Sequence, residues 1–123
     1  MANPNIINAS SILGKTVFDA DIATSASELF ENAASSGKIL KINSLIIANI
    51  DGTNAADITV TVRNAAGSTT YSTLASTISV PADATLVVIS KDTSIYLLED
   101  MSIYLAASAA GDLSATCSYE EIS

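Results

Sequence analysis

The stretch from Lys38 to Asn64 carries the clearest alternation of apolar and polar positions in the chain. In Asp57–Val62, isoleucine and valine alternate with threonine, which is the period of a strand with one buried face. In Leu45–Ile50, apolar residues fall on both faces, as in the middle of a covered sheet or against a partner subunit. Asp51-Gly52-Thr53-Asn54 lies between the two runs and has the composition of a turn. The pattern predicts that the two runs pair as a β-hairpin around which the chain is organised.

Other short apolar runs alternate with turn residues along most of the remaining sequence. The further strands are expected at Lys15–Ile22, Thr69–Leu74, Ile78–Val80, Ala84–Lys91, Ser94–Leu97, Ser102–Leu105 and Leu113–Tyr119. About seven to nine short strands at this spacing are typical of a sandwich or barrel. We predict an all-β fold, an antiparallel β-sandwich of jelly-roll-like type. The side chains expected to point into its core are those of Ile58, Val60, Val62, Leu86, Val88, Leu113, Ala115 and Cys117.

The segment Ser25–Gly37 is the one place where a helix competes with a strand. Ser25 and Glu28 are spaced as in a helix capping box, apolar residues follow at helical spacing, and Gly37 could end a helix over 27–36. We favour a strand followed by a turn at Ala34–Gly37, because the flanking segments are extended and their sheet needs another strand.

The N-terminal residues 1–14 have too weak a pattern for a confident strand or helix. We expect an extended arm there, followed by a single sandwich domain over residues 15–123. The arm carries four apolar residues that would be costly to leave in water, and we predict that they contact a partner. These residues are Ile6, Ile7, Ile12 and Leu13. The alternatives are a frayed terminus or a segment that covers its own sandwich.

Composition and charge exclude several kinds of partner. The 123 residues suit one domain, and the net charge of −8 argues against binding to nucleic acid or to an anionic membrane surface. The first residues lack the basic and apolar pattern of a signal peptide, and no apolar run is long enough for a membrane helix. We therefore expect a soluble protein made in a cytoplasm.

The sequence offers no catalytic apparatus that we can recognise. Without histidine, the usual nucleophile and base arrangements cannot be built, and Cys117 lies on the apolar face of the last predicted strand. Three carboxylate pairs are interpreted as exposed charge: Asp19 with Asp21, Glu99 with Asp100, and Glu120 with Glu121. Four oxygen-bearing residues could in principle suit calcium, but their spacing is not that of an EF-hand and the predicted hairpin turn explains them all: Asp51, Thr53, Asn54 and Asp57. We predict no catalytic residue, no cofactor and no metal.

Two long stretches resemble small virion proteins of tailed bacteriophages, particularly those of marine and cyanobacterial phages. They are Gly37–Val62, GKILKINSLIIANIDGTNAADITVTV, and Val80–Ile122, VPADATLVVISKDTSIYLLEDMSIYLAASAAGDLSATCSYEEI. The resemblance lies in the order of strands and turns, and the two stretches together make up 69 of the 123 residues. It implies a β-sandwich subunit that coats capsids or builds tails and necks, and it transfers no binding or catalytic residue.

On this basis the leading hypothesis is a non-enzymatic virion structural protein, a capsid decoration or cement subunit that stabilises a shell by protein contacts. Its expected partners are other virion proteins, above all the major capsid protein, together with copies of itself, for which we expect a homotrimer. The alternatives are a tail, neck or baseplate subunit and a module that binds a host-surface glycan. The four tyrosines are spread along different strands, which weighs against a sugar platform: Tyr71, Tyr96, Tyr104 and Tyr119.

Overall fold

The computed structural model describes residues 4–123, which contain nine β-strands and two short 3₁₀ turns but no α-helix. The turns are Ile6–Asn8 and Lys91–Thr93. The strands are β1 (Ile12–Asp19), β2 (Ser27–Asn32), β3 (Ile39–Asn49), β4 (Ala56–Arg63), β5 (Thr70–Val80), β6 (Thr85–Ile89), β7 (Ile95–Leu97), β8 (Met101–Ala107) and β9 (Leu113–Ile122). The predicted all-β class is confirmed.

The strands form two antiparallel sheets packed face to face. Sheet A has the order β1-β9-β3-β6, with β7 also paired to β3, and sheet B has the order β2-β8-β4-β5. Successive strands mostly alternate between the two sheets, which is the arrangement of a jelly roll with β7 as an addition. The predicted sandwich is therefore confirmed, and its jelly-roll character follows from the strand order.

The core lies between the inner faces of the two sheets, and most of the predicted core positions point into it. Six are buried: Ile58, Val60, Val62, Leu113, Ala115 and Cys117. Leu86 and Val88 are only half-buried and pack against the margin of the core, because β6 is an edge strand. Leu45, at the centre of sheet A, is fully buried.

The predicted hairpin of β3 and β4 is wrong. The two strands are correctly located, but β3 lies in sheet A and β4 in sheet B, so the chain between them crosses from one sheet to the other. The buried side chain of Asn49 stabilises this crossing, because its Nδ2 donates hydrogen bonds to the Asn54 and Val80 carbonyls at 2.9 and 2.8 Å. A turn-like sequence between two strands suits such a crossing as well as a hairpin.

The hairpin that does occur joins β4 to β5. The two strands predicted at Thr69–Leu74 and Ile78–Val80 are one continuous strand, interrupted by an irregularity at Thr77, whose φ is 46°. β5 is the edge strand at one end of sheet B. β7 and β8 both contain the sequence Ile-Tyr-Leu and also lie in different sheets. Asn32 Nδ2 donates a hydrogen bond to the Leu97 carbonyl at 3.0 Å near the crossing between them.

The segment Ser25–Gly37, for which a helix and a strand were both considered, forms the strand β2 followed by a turn. The preferred prediction is confirmed and the helix is excluded.

The predicted boundary of the N-terminal arm needs correction. β1 begins at Ile12 and not after residue 14, because Ile12 and Leu13 pair with Ile122 and Glu121 of β9. Residues 1–3 of the predicted arm lie outside the described residues.

Charge is distributed unevenly between the two ends of the sandwich. The turns that follow β1, β3, β5 and β8, with the adjoining strand ends, form what we call the acidic end. It carries six aspartates and no lysine or arginine: Asp19, Asp21, Asp51, Asp57, Asp83 and Asp112. All five basic residues lie outside the acidic end, with Lys15 midway along β1 and the others in the opposite half: Lys38, Lys41, Arg63 and Lys91. The other seven acidic residues also lie outside the acidic end.

Candidate functional site

The residues that could act as nucleophiles, acids, bases or metal ligands have structural roles in the fold. No cavity of ligand size opens within residues 4–123, and that part of the chain contains no group of three or more potential metal-binding side chains. Cys117 is fully buried, and this burial raises the pKa of its thiol to about 12. The thiol is thus held in its unreactive, protonated form.

The carboxylate pairs hold loops together. Asp19 Oδ1 accepts a hydrogen bond from the Asp21 amide at 3.1 Å, and Asp21 Oδ1 accepts one from the Gly111 amide at 2.8 Å. Glu99 Oε2 accepts from the Gly37 amide at 2.6 Å, and Asp100 Oδ1 accepts from the Ala65 amide at 3.1 Å. These contacts give the carboxylates a structural use.

The candidate calcium residues are used by the turn after β3 and by the start of β4. Asp51 accepts hydrogen bonds from the Thr53 amide at 2.9 Å and from Asn54 Nδ2 at 3.2 Å. The Thr53 amide, followed by the Asn54 side chain, lowers the pKa of Asp51. Asp57 belongs to β4, and its amide donates to Ser108 Oγ at 2.8 Å. The turn itself therefore accounts for these residues.

The four tyrosines lie on four different strands. Tyr104 packs beneath the Arg63 guanidinium, 4.7 Å from the ring centroid, and Tyr119 stacks on Phe30 with a centroid distance of 4.7 Å. Tyr71 and Tyr96 are exposed on β5 and β7, which belong to different sheets. They do not form a common surface for a sugar.

The four predicted contact residues are all exposed, in two separate settings. Ile6 and Ile7 lie in the first 3₁₀ turn, where Ile7 is 91% exposed. Ile12 and Leu13 begin β1 and are 55% and 50% exposed. The segment before β1 is attached to the sandwich, because the Ser10 and Ser11 amides both donate to the Ser123 carbonyl. The exposed apolar surface of β1 is therefore part of the folded domain.

Three of the four sheet margins have features that oppose further strand pairing. β2 has a register shift next to Glu28 and exposes Glu28 and Glu31. β5 is irregular at several points along β4. On the far side of sheet A, β6 and β7 are short, β6 has a register shift against β3, and a 3₁₀ turn separates them. These three margins are blunted.

The fourth margin, β1, has none of these features, and we call it the open edge. Its pairing with β9 runs without a shift from Ile12 opposite Ile122 to Asp19 opposite Ala115. Among the strands of residues 4–123, none pairs with its other side. A long, regular and apolar edge of this kind is a template for pairing with another strand.

Phe18, which sequence reasoning missed, is the most exposed large apolar residue of the open edge, at 70%. Even-numbered positions of β1 face outward, because Val17 faces the core beside Cys117. Ile12 and Phe18 thus lie on the outer face of sheet A, and Leu13 and Val17 on the inner face. The available signal was the β-branched and aromatic run Thr16-Val17-Phe18.

An ion cluster lies beside the open edge. Glu121 on β9 is paired with Lys15 of β1 and with Lys38, each at 3.2 Å. Burial alone would raise the pKa of Glu121, but hydrogen bonds from both lysines and their charges outweigh it and lower the pKa. Lys15 is thereby drawn towards β9 and away from the unpaired side of β1.

The fold and the edge together define a jelly-roll β-sandwich with one open strand. No family model and no curated protein matches the chain. Among solved structures it is similar to a protein reported under the words "Bacillus endospore appendages form a novel family of disulfide-linked pili". The identity is 13% and the TM-score 0.54, over 100% of this chain and 96% of that chain. At this identity the likeness shows the fold alone. Within residues 4–123, no helix has the length and apolarity that crossing a membrane requires.

Proposed function

We propose that this protein is a structural subunit of a tailed-phage virion, acting without catalysis as a capsid decoration or cement protein. The observation that supports this role is the open edge, a regular strand with exposed apolar side chains on both faces. Jelly rolls occur in viral capsid domains but also in lectins, so the fold alone does not select a function. The virion setting rests on the resemblance of the sequence.

The proposed role is mechanical. A decoration subunit stabilises a shell by burying surface across neighbouring proteins, chiefly the major capsid protein. The open edge provides unpaired backbone groups and apolar side chains for such burial. Ile6 and Ile7 provide a second, separate apolar contact next to it. The acidic end is poorly suited to contact with further copies in the same orientation, because like charges would face each other.

Three alternatives use the same fold in other settings. A tail, neck or baseplate subunit would use the open edge in the same way but in fewer copies. A pilus-like filament is suggested by the structural likeness, although the cysteine of this sequence is buried in β9 and is not placed to link subunits by a disulfide. A glycan-binding module has the least support, since the exposed tyrosines are on different sheets.

Mass spectrometry of purified particles tests the proposal. Phage particles and surface filaments would be isolated separately from a culture that produces this protein, and its copy number would be measured relative to the major capsid protein. We expect hundreds of copies per virion. A few to tens per virion would instead indicate a neck or baseplate part. Absence from virions, with or without presence in filaments, would overturn the proposed function.

A further inference from the structure

We propose that the open edge pairs with the same edge of a second copy, antiparallel and about a two-fold axis. This inference rests on the proposed role as an assembly subunit and names the partner of its exposed strand. Sheet A would then continue across the two copies, in the order β6-β3-β9-β1 followed by β1-β9-β3-β6 of the second copy. Each β1 would gain the strand neighbour that it lacks in the single chain.

The features of the other sheet margins explain why β1 of one copy would pair with β1 of a second copy and not with another strand. Charge and a bulge oppose pairing at β2, and irregular register opposes it at β5. The opposite margin of sheet A is divided into the short strands β6 and β7. Within residues 4–123, β1 is therefore the one sheet margin that is regular along its whole length, and the matching partner for it is β1 of a second copy. A single self-complementary edge gives a closed two-fold dimer, whereas two different edges would give a ring or filament.

The side chains of β1 match each other in one antiparallel register. With Lys15 on the two-fold axis, Ile12 lies opposite Phe18 of the second copy and Leu13 lies opposite Val17. The first pair is on the outer face and the second on the inner face, so directly opposed side chains share a face as antiparallel pairing requires. The symmetry repeats both pairs, which gives four apolar cross-strand contacts.

This register brings Lys15 close to Lys15 of the second copy, which would be unfavourable for isolated charges. Each lysine is already paired with Glu121 of its own chain at 3.2 Å, on the side away from the axis. Each lysine on the axis therefore has a carboxylate beside it, which it shares with Lys38 of its own chain. The existing ion pairs thus reduce the repulsion in this register.

The distribution of charge favours the antiparallel orientation over a parallel one. Antiparallel pairing keeps the two acidic ends apart and places each of them beside the half of the other copy that carries Lys38, Lys41, Arg63 and Lys91 together with acidic residues. Parallel pairing would place two groups of six aspartates side by side in a chain of net charge −8. This edge therefore favours a dimer, in place of the trimer expected from the sequence.

Cysteine crosslinking tests both the partner and the register, because the residue on a two-fold axis lies opposite itself. Cα atoms of opposed residues in antiparallel strands are about 4.5–5.5 Å apart, within the range that a disulfide spans. Under mild oxidation, Lys15→Cys should form a covalent dimer readily. Thr16→Cys and Val17→Cys should not, and Thr73→Cys on the blunted margin β5 is the matched exposed control. Buried Cys117 stays out of the reaction.

Native mass spectrometry of the protein without substitutions shows whether it dimerises in the absence of an introduced cysteine. We expect a species at twice 12.6 kDa. Crosslinking through Thr16→Cys or Val17→Cys would overturn the register, and a monomer with no crosslink at any β1 position would overturn the proposal. A monomer found at high copy in virions would leave the proposed function intact. A dimer that is absent from virions would support the pairing of the open edges but overturn the proposed function.

Discussion

Replacing Leu45 with alanine is expected to lower the free energy of unfolding by about 2–5 kcal/mol. Leu45 is fully buried at the centre of β3, opposite Cys117 on one side and Ile89 on the other. Removal of its terminal carbons leaves a cavity that two flanking strands cannot close, because both are held in register by their own pairing. Urea or thermal unfolding measures the change.

Leu86→Ala is the matched control for this prediction. It deletes the same atoms from a half-buried position on the edge strand β6, where water can fill the space. We expect a loss of about 1 kcal/mol, less than for a buried site because less apolar surface is involved. Equal losses at the two positions would show that the assigned centre and margin of sheet A are wrong.

Replacing Phe18 with lysine is expected to weaken self-association at least about tenfold, which corresponds to about 1.4 kcal/mol. Phe18 is 70% exposed in the single chain, so the folded monomer has little to lose from the change. In the dimer the substitution removes two apolar contacts with Ile12 and places an ammonium group beside each. Light scattering across a concentration series measures the dissociation constant.

Val87→Lys provides the control for the edge. Val87 is 54% exposed and lies in the same cross-strand row as Phe18, at the opposite and blunted margin of sheet A. It should leave association unchanged, and at concentrations where the parent is monomeric both variants should keep its melting temperature. Equal weakening by both substitutions would mean that general surface charge, and not the open edge, controls association.

The sequence predicted what depends on local pattern. The alternation in Asp57–Val62 and in Leu113–Tyr119 identified strands and their buried faces, because a period of two needs no knowledge of neighbours. It could not identify which strands pair. Asp51-Gly52-Thr53-Asn54 has turn chemistry in a hairpin and in a crossing between sheets alike, and the choice depends on Asn49 contacting Val80 far along the chain.

The open edge, too, could be predicted only in part from the sequence. Ile12 and Leu13 were predicted as contact residues, but their place in a strand of sheet A depends on pairing with the C-terminal strand β9. Phe18 was missed because an aromatic residue at the end of a strand has the same local pattern whether it is buried or exposed. Only the strand order reveals that β1 has a single neighbour.

Hydrogen–deuterium exchange at low and high protein concentration tests the central claim most directly, that copies associate through the open edge. Strand pairing gives hydrogen-bond partners to amides of β1 that face away from β9, and these amides then exchange more slowly. We expect added protection in Leu13–Phe18 at high concentration, with β2, β5 and β6 unchanged. Association that protects another margin, or that leaves β1 unprotected, would contradict it.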